Sequence, residues 1–196
     1  MSLLVKICGL SDERDVMAAV EAGADALGFV FARSVRELTP QQAKSISDSV
    51  PRAVKRVAVM LHPSNEEWLN VLRIFEPDVL QTDAEDFEAL DVPMSVECWP
   101  VFREGQSQPD ATTYVYEGPK SGRGETVDWS RAAELAVAGR MILAGGLAGD
   151  NVGAAVSTVR PYGVDVSSGV ESAPGQKDAN LIREFISAAR AAETRL

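Results

Sequence analysis

Strand-length apolar runs alternate with helix-like segments eight times along the 196 residues of this chain. That rhythm constrains the fold more than any single motif, because parallel strands need crossover connections and those are usually helices. Leu3–Cys8 is rich in branched residues and stops at Gly9, as a buried strand does. Ser11 and Asp12 offer cap oxygens before the helically spaced Val16, Ala19 and Val20, and Gly23 closes that helix. Ala26–Phe31 reads as the second strand, and Thr39-Pro40 as a cap with proline at the first helical position. Arg56–Leu61, Asp78–Gln81, Met94–Glu97, Thr112–Tyr116, Met141–Ala144 and Gly163–Val166 read as strands three to eight. Helical spacing covers Glu66–Ile74, Ala84–Leu90, Trp129–Val137, Asp150–Thr158 and Asn180–Ala192, and Pro119–Gly124 reads as a glycine-containing loop.

Eight such units in under 200 residues fit one α/β domain over residues 1–196, a (β/α)8 barrel of minimal size. An open doubly wound sheet shares the alternation, but no glycine-rich dinucleotide turn follows the first strand. With 29 acidic against 19 basic side chains the formal charge is −10, which argues against nucleic acid as a partner. It leaves room for a small anion held by backbone N–H groups. Two cysteines, Cys8 and Cys98, are too few for a disulfide framework and lack metal-ligand spacing. No apolar run is long enough for a membrane span and the N-terminus has no signal-peptide pattern, so the expectation is a cytoplasmic protein.

In a (β/α)8 barrel chemistry sits at the C-terminal ends of the strands. Cys8 ends strand one, Arg36 follows strand two, Asp128 follows strand six, and Gly145-Gly146 and Ser167-Ser168-Gly169 follow strands seven and eight. Cys8 could equally be a small buried apolar group, and Cys98 shows that a cysteine near a strand end is not specific. Gly145, Gly146, Ser168 and Gly169 read as a phosphate cradle formed by the last two loops, or blandly as two tight turns. Arg36 is either a solvated loop charge or a fork for a carboxylate. Asp128 is placed as a helix N-cap. Asp165 lies inside a barrel strand and must find donors or a ligand hydroxyl. His62, the one histidine, has no acidic or nucleophilic neighbour in the pattern and reads as a rim residue.

Together these segments resemble the phosphoribosylanthranilate isomerase family of tryptophan biosynthesis. The resemblance is carried by Val5-Lys6-Ile7-Cys8-Gly9-Leu10, Gly23-Ala24-Asp25-Ala26-Leu27-Gly28-Phe29-Val30-Phe31 and Ser34-Val35-Arg36. It continues in Val127-Asp128-Trp129, Leu143-Ala144-Gly145-Gly146-Leu147, Asn151-Val152, Gly163 through Glu171, and Pro174-Gly175-Gln176-Lys177-Asp178. It implies an Amadori rearrangement of N-(5-phosphoribosyl)anthranilate to the carboxyphenylamino-deoxyribulose phosphate. By similarity Asp128 is the general acid that opens the sugar ring and Cys8 the general base that removes the proton from C2. Both groups depend on tuning by the site. Arg36 is implied to hold the anthranilate carboxylate, Asp165 the sugar hydroxyls, and Gln81 a further substrate contact. No metal and no organic cofactor is implied. The partner is the small-molecule substrate, and a monomer is expected, with a homodimer as the alternative.

Three departures from the family pattern are visible. Gln81-Thr82-Asp83-Ala84 stands where the family reads Gln-Leu-His-Gly, Ser121-Gly122-Arg123-Gly124 where it reads Gly-Gly-Thr-Gly, and Glu117 takes the place of an aspartate ending strand six. Two rival readings compete. The histidine-pathway isomerase performs the same rearrangement, but carries an aspartate where Cys8 stands. A non-catalytic barrel that binds a sugar phosphate is the other, motivated by the altered strand-four loop.

Overall fold

A computed structural model describes residues 2–106, 108, 110–118 and 127–194. Its centre is a closed barrel of eight parallel strands, each hydrogen-bonded to the next in chain order. These are β1 (Leu4–Cys8), β2 (Ala26–Val30), β3 (Lys55–Val59), β4 (Val79–Asp83), β5 (Glu97–Arg103), β6 (Thr113–Glu117), β7 (Arg140–Leu143) and β8 (Gly163–Val166). Pairing of Leu4 with Gly163 and of Lys6 with Asp165 closes β1 onto β8. Around it lie α1 (Glu13–Ala22), α2 (Pro40–Ser47), α3 (Asn65–Phe75), α4 (Trp129–Ala136), α5 (Val152–Val159) and α6 (Ala179–Glu193). A short antiparallel pair, β9 (Glu171–Ala173) with β10 (Gln176–Lys177), sits between β8 and α6.

Local chemistry explains most boundaries. Asp12 caps α1 through Arg14 N, and Gly23 ends it in the left-handed region at φ 94°. Thr39 and Ser64 open α2 and α3 with reciprocal capping boxes through Gln42 and Glu67. Two layers of apolar packing result. Val5, Ile7, Leu27, Phe29, Leu80 and Leu143 point outward into the helix shell. Their alternating neighbours Leu4, Ala26, Val57, Val79, Trp99, Val115 and Ile142 fill the barrel interior.

Two expectations are corrected. The fifth strand runs over Glu97–Arg103, not Met94–Glu97, and Met94 is fully exposed. Pro100 lies inside this strand but sits one residue before the β6 ladder begins at Val101, so its missing N–H leaves that ladder intact. The helix expected over Ala84–Leu90 is only a 3-10 turn, Ala84–Glu88. Asp83, in the cap position, makes no cap bond because its carboxylate turns inward to Arg103, 2.7 Å away. The loop expected over Pro119–Gly124 lies outside the described residues. No described helix is long and apolar enough to cross a membrane.

Candidate active site

Inward-facing positions change character along the strands. Below, the interior is apolar; above, toward the strand C-termini, the same alternation delivers Lys6, Cys8, Gln81, Asp83, Arg103, Glu117 and Asp165. Over this polar layer opens a cavity of about 310 Å³, bordered by the loops that follow β2, β7 and β8. Cys8, Arg36, Gln81, Asp165, Gly145, Gly146 and Ser168 all line it, so the fold brings most of the anticipated site residues together.

Cys8 ends β1 as a buried free thiol. The register pairs it with Gly28, and there a side chain is excluded: a Cβ on Gly28 would lie 2.8 Å from Cys8 Sγ and 3.2 Å from Lys6 Nζ. Lys6 is wholly buried and donates to Asp165 Oδ2 at 2.9 Å. Asp165 thus finds its donor inside the protein, while its Oδ1 is buried without a hydrogen-bond partner. Burial pushes the Cys8 thiol up; Lys6 and Lys177 pull against that, and Asp165 adds to it.

Arg36 is not a solvated charge. Its Nε donates to Glu171 Oε1 at 2.6 Å and its Nη2 to Glu171 Oε2 at 2.7 Å, a two-bond fork. Lys177 donates to the same carboxylate at 2.8 Å and to the Ser167 carbonyl at 2.9 Å. Burial alone would lift the Glu171 carboxyl, but the bonds from Arg36 and Lys177 outweigh it and hold it at about 2. The β9–β10 pair is what carries Glu171 and Lys177 to this rim.

The loop after β7 turns through left-handed Gly145 (φ 91°) and Gly146 (φ 62°). Asn151 pins it, donating from Nδ2 to the Gly146 carbonyl at 2.8 Å and accepting from Ala148 N at 2.9 Å. Ser168 reaches the cavity, whereas Gly169 does not line it. A Cβ on Gly169 would lie 2.0 Å from the Leu147 carbonyl oxygen, so this glycine holds the β8 loop against the β7 loop.

Asp128 departs furthest from expectation. It is exposed, lies outside the cavity lining, and caps α4 by accepting from Ser130 N (2.8 Å) and Arg131 N (3.3 Å). Both cap bonds fall on Oδ1. Arg123, in the departing loop before it, lies outside the described residues.

On the opposite wall Arg103 bridges Asp83 (2.7 Å) and Glu117 (3.1 Å). His62 is at the rim as anticipated, yet the fold gives it acidic neighbours that its sequence context lacks: Asp86 at 3.0 Å and Asp83 at 3.5 Å. The bond to Asp86 raises its pKa above the ordinary value, against the opposing effect of burial. Ligand atoms of His62, Asp83 and Glu85 approach within 4.8 Å of one another. Arg103 already supplies a cation to Asp83 there, and Asp86 engages the imidazole, so Asp83 and His62 are accounted for as ion pairs.

Sequence reasoning assigned no role to Lys6, Arg103, Asn151, Glu171 or Lys177. For Lys6 the signal was present: it lies two residues before Cys8 and therefore shares its inward face. Glu171 and Lys177 offer no such cue, because barrel closure and the β9–β10 hairpin together bring them to Arg36.

Comparison with known proteins identifies the family. The family model described as N-(5'phosphoribosyl)anthranilate (PRA) isomerase matches residues 5–188. Two relatives named N-(5'-phosphoribosyl)anthranilate isomerase are similar over nearly their whole length. That of Listeria welshimeri is 37% identical over 97% of this chain and 100% of its own. That of Pelobacter propionicus is 40% identical over 97% of this chain and 96% of its own. Among solved structures, a phosphoribosyl anthranilate isomerase in complex with reduced 1-(o-carboxyphenylamino)-1-deoxyribulose 5-phosphate superposes with a TM-score of 0.80. It is 31% identical over 97% of this chain and 100% of that one. The chain described here belongs to the N-(5'-phosphoribosyl)anthranilate isomerase family.

Proposed function

We propose that this barrel carries out the Amadori rearrangement of N-(5-phosphoribosyl)anthranilate with Cys8 as general base and Asp128 as general acid. The isomerase activity follows from membership of the family; the roles of individual residues are our reading. The observation that carries it is the convergence of a thiol, two unpartnered buried acceptors and two glycine-containing loops on one cavity. Gln81 Oε1 and Asp165 Oδ1 are those acceptors. Buried acceptors without donors are costly, and sugar hydroxyls would satisfy them.

Asp128 donates a proton to the furanose ring oxygen as the C1–O bond breaks, leaving a Schiff base to the anthranilate nitrogen. Asp128 Oδ2 takes no part in the α4 cap, which supports its use in this step. The Cys8 thiolate then removes the proton from C2. The C–H electrons form a C1–C2 double bond and neutralise the iminium nitrogen, and the enolamine tautomerises to the ketone. Arg36 receives the anthranilate carboxylate. Backbone N–H groups around Gly145, Gly146 and Ser168 receive the phosphate, with Gly169 setting the contact between those loops.

The same reading makes the protein a cytoplasmic monomer, supported by two unpaired cysteines and by the few exposed large apolar side chains among the described residues. Following the loss of substrate fluorescence, with identification of the ketose product, tests the activity. Binding of substrate without product would replace it with the sugar-phosphate-binding reading.

A further inference from the structure

The interior of a (β/α)8 barrel is ordinarily packed with branched apolar side chains, yet this chain buries a lysine there. Lys6 has no solvent exposure, and a buried ion pair such as Lys6–Asp165 is poor value as a stabilising device because of the desolvation it entails. Its placement is specific. Cys8 Sγ and Lys6 Nζ both crowd the one small space left by Gly28, on the same inward face of β1.

We propose that Lys6 is the positioning residue for Cys8: its ammonium, anchored by Asp165, stands beside the sulfur as the counter-charge of the thiolate base. This rests on the reading of Cys8 as the base. Other charged groups face the sulfur as well. Asp165 comes from β8, Lys177 from β10 and Arg36 from the loop after β2. Asp83, Arg103 and Glu117 line the far wall of the same cavity. Arg36 spends its fork on Glu171. Lys177 directs its ammonium at Glu171, the Ser167 carbonyl and Ser167 Oγ. Lys6 makes one hydrogen bond, to Asp165 Oδ2, that ties it to another group, and an ammonium has three donors. It therefore remains able to donate to the sulfur, and the interaction with Cys8 favours the charged forms of both groups.

The test reads the thiol directly, so it is independent of turnover. With Cys98 replaced by Ser, the rate of Cys8 alkylation by iodoacetamide is measured against pH. Lys6→Met is expected to move the midpoint upward by about 1 to 3 pH units, the range for loss of a close opposite charge. Since that variant leaves Asp165 buried without its donor, the comparison is repeated in an Asp165→Asn background. Asp165→Asn alone is expected to lower the midpoint, and adding Lys6→Met to raise it again. Equal midpoints with and without Lys6 in that background would overturn the proposal, whatever the activity of the Cys8 variants. Turnover of Cys8→Ala separately tests the reading on which it rests.

Discussion

Arg36 and Glu171 meet fork to fork, with Nε and Nη2 of the guanidinium 2.6 and 2.7 Å from the two carboxylate oxygens. Arg36 lines the cavity, and with that edge occupied, the proposed substrate carboxylate is left the Nη1 side of the guanidinium. The carboxylate keeps its own bonding and charge throughout the rearrangement, so its ion pair is similar in ground and transition states. Arg36→Met should then raise KM well above its effect on kcat, costing about 2–4 kcal/mol in kcat/KM. Arg36→Lys should recover only part of this, since a point charge cannot reproduce the fork. An unchanged KM for Arg36→Met would place the carboxylate elsewhere.

Glu171 also sets a pH dependence. Its pKa is depressed from 4.5 to about 2, so its contribution to stability is present above pH 4.5 and is lost as pH falls through about 2. Glu171→Gln should lower the melting temperature at neutral pH and flatten the acid side of the stability curve between those values. Parallel curves for the two proteins in that window would show that the rim contributes nothing there.

Inorganic phosphate should compete with substrate, through the loops that hold Gly146 and Ser168. Asn151→Ala removes both bonds that pin the first of these loops. It should weaken phosphate inhibition and raise KM while leaving the barrel folded. Non-competitive inhibition, or none in either protein, would remove the cradle from the account.

Gly28→Ala adds a methyl group 2.8 Å from the Cys8 sulfur, where the neighbours are a strand backbone and a buried ammonium. Overpacking of this kind costs about 1–3 kcal/mol, and here the displaced atom is the proposed base. Thermal melts should show the loss of stability, and kcat should fall with it. A variant with wild-type stability and turnover would mean that Cys8 has room to move.

The barrel was legible in the sequence because strand-length apolar runs alternate with helical spacing along the chain, and caps such as Asp12 and Thr39 mark where helices begin. Two elements were misread: the fifth strand, which runs on through Pro100 to Arg103, and the turn after β4, where the Asp83 carboxylate pairs with Arg103 instead of capping a helix. In the site, Cys8, Arg36, Gln81 and Asp165 stand at strand ends or alternate positions that a barrel places on one mouth. What stayed hidden was pairing. Nothing local links Arg36 to Glu171, 135 residues apart, or Lys6 to Asp165, 159 apart; only closure of β1 onto β8 brings them together.

The central claim is that Cys8 and Asp128 move the protons of the rearrangement. Its most direct test is steady-state turnover of N-(5-phosphoribosyl)anthranilate by Cys8→Ala and Asp128→Asn, each checked for an unchanged fold by circular dichroism. Both should lose about 10²–10⁴-fold in kcat, the usual contribution of a general acid or base. Near-wild-type turnover in either variant would contradict the account, and for Asp128 it would leave that residue as the N-cap of α4 and nothing more.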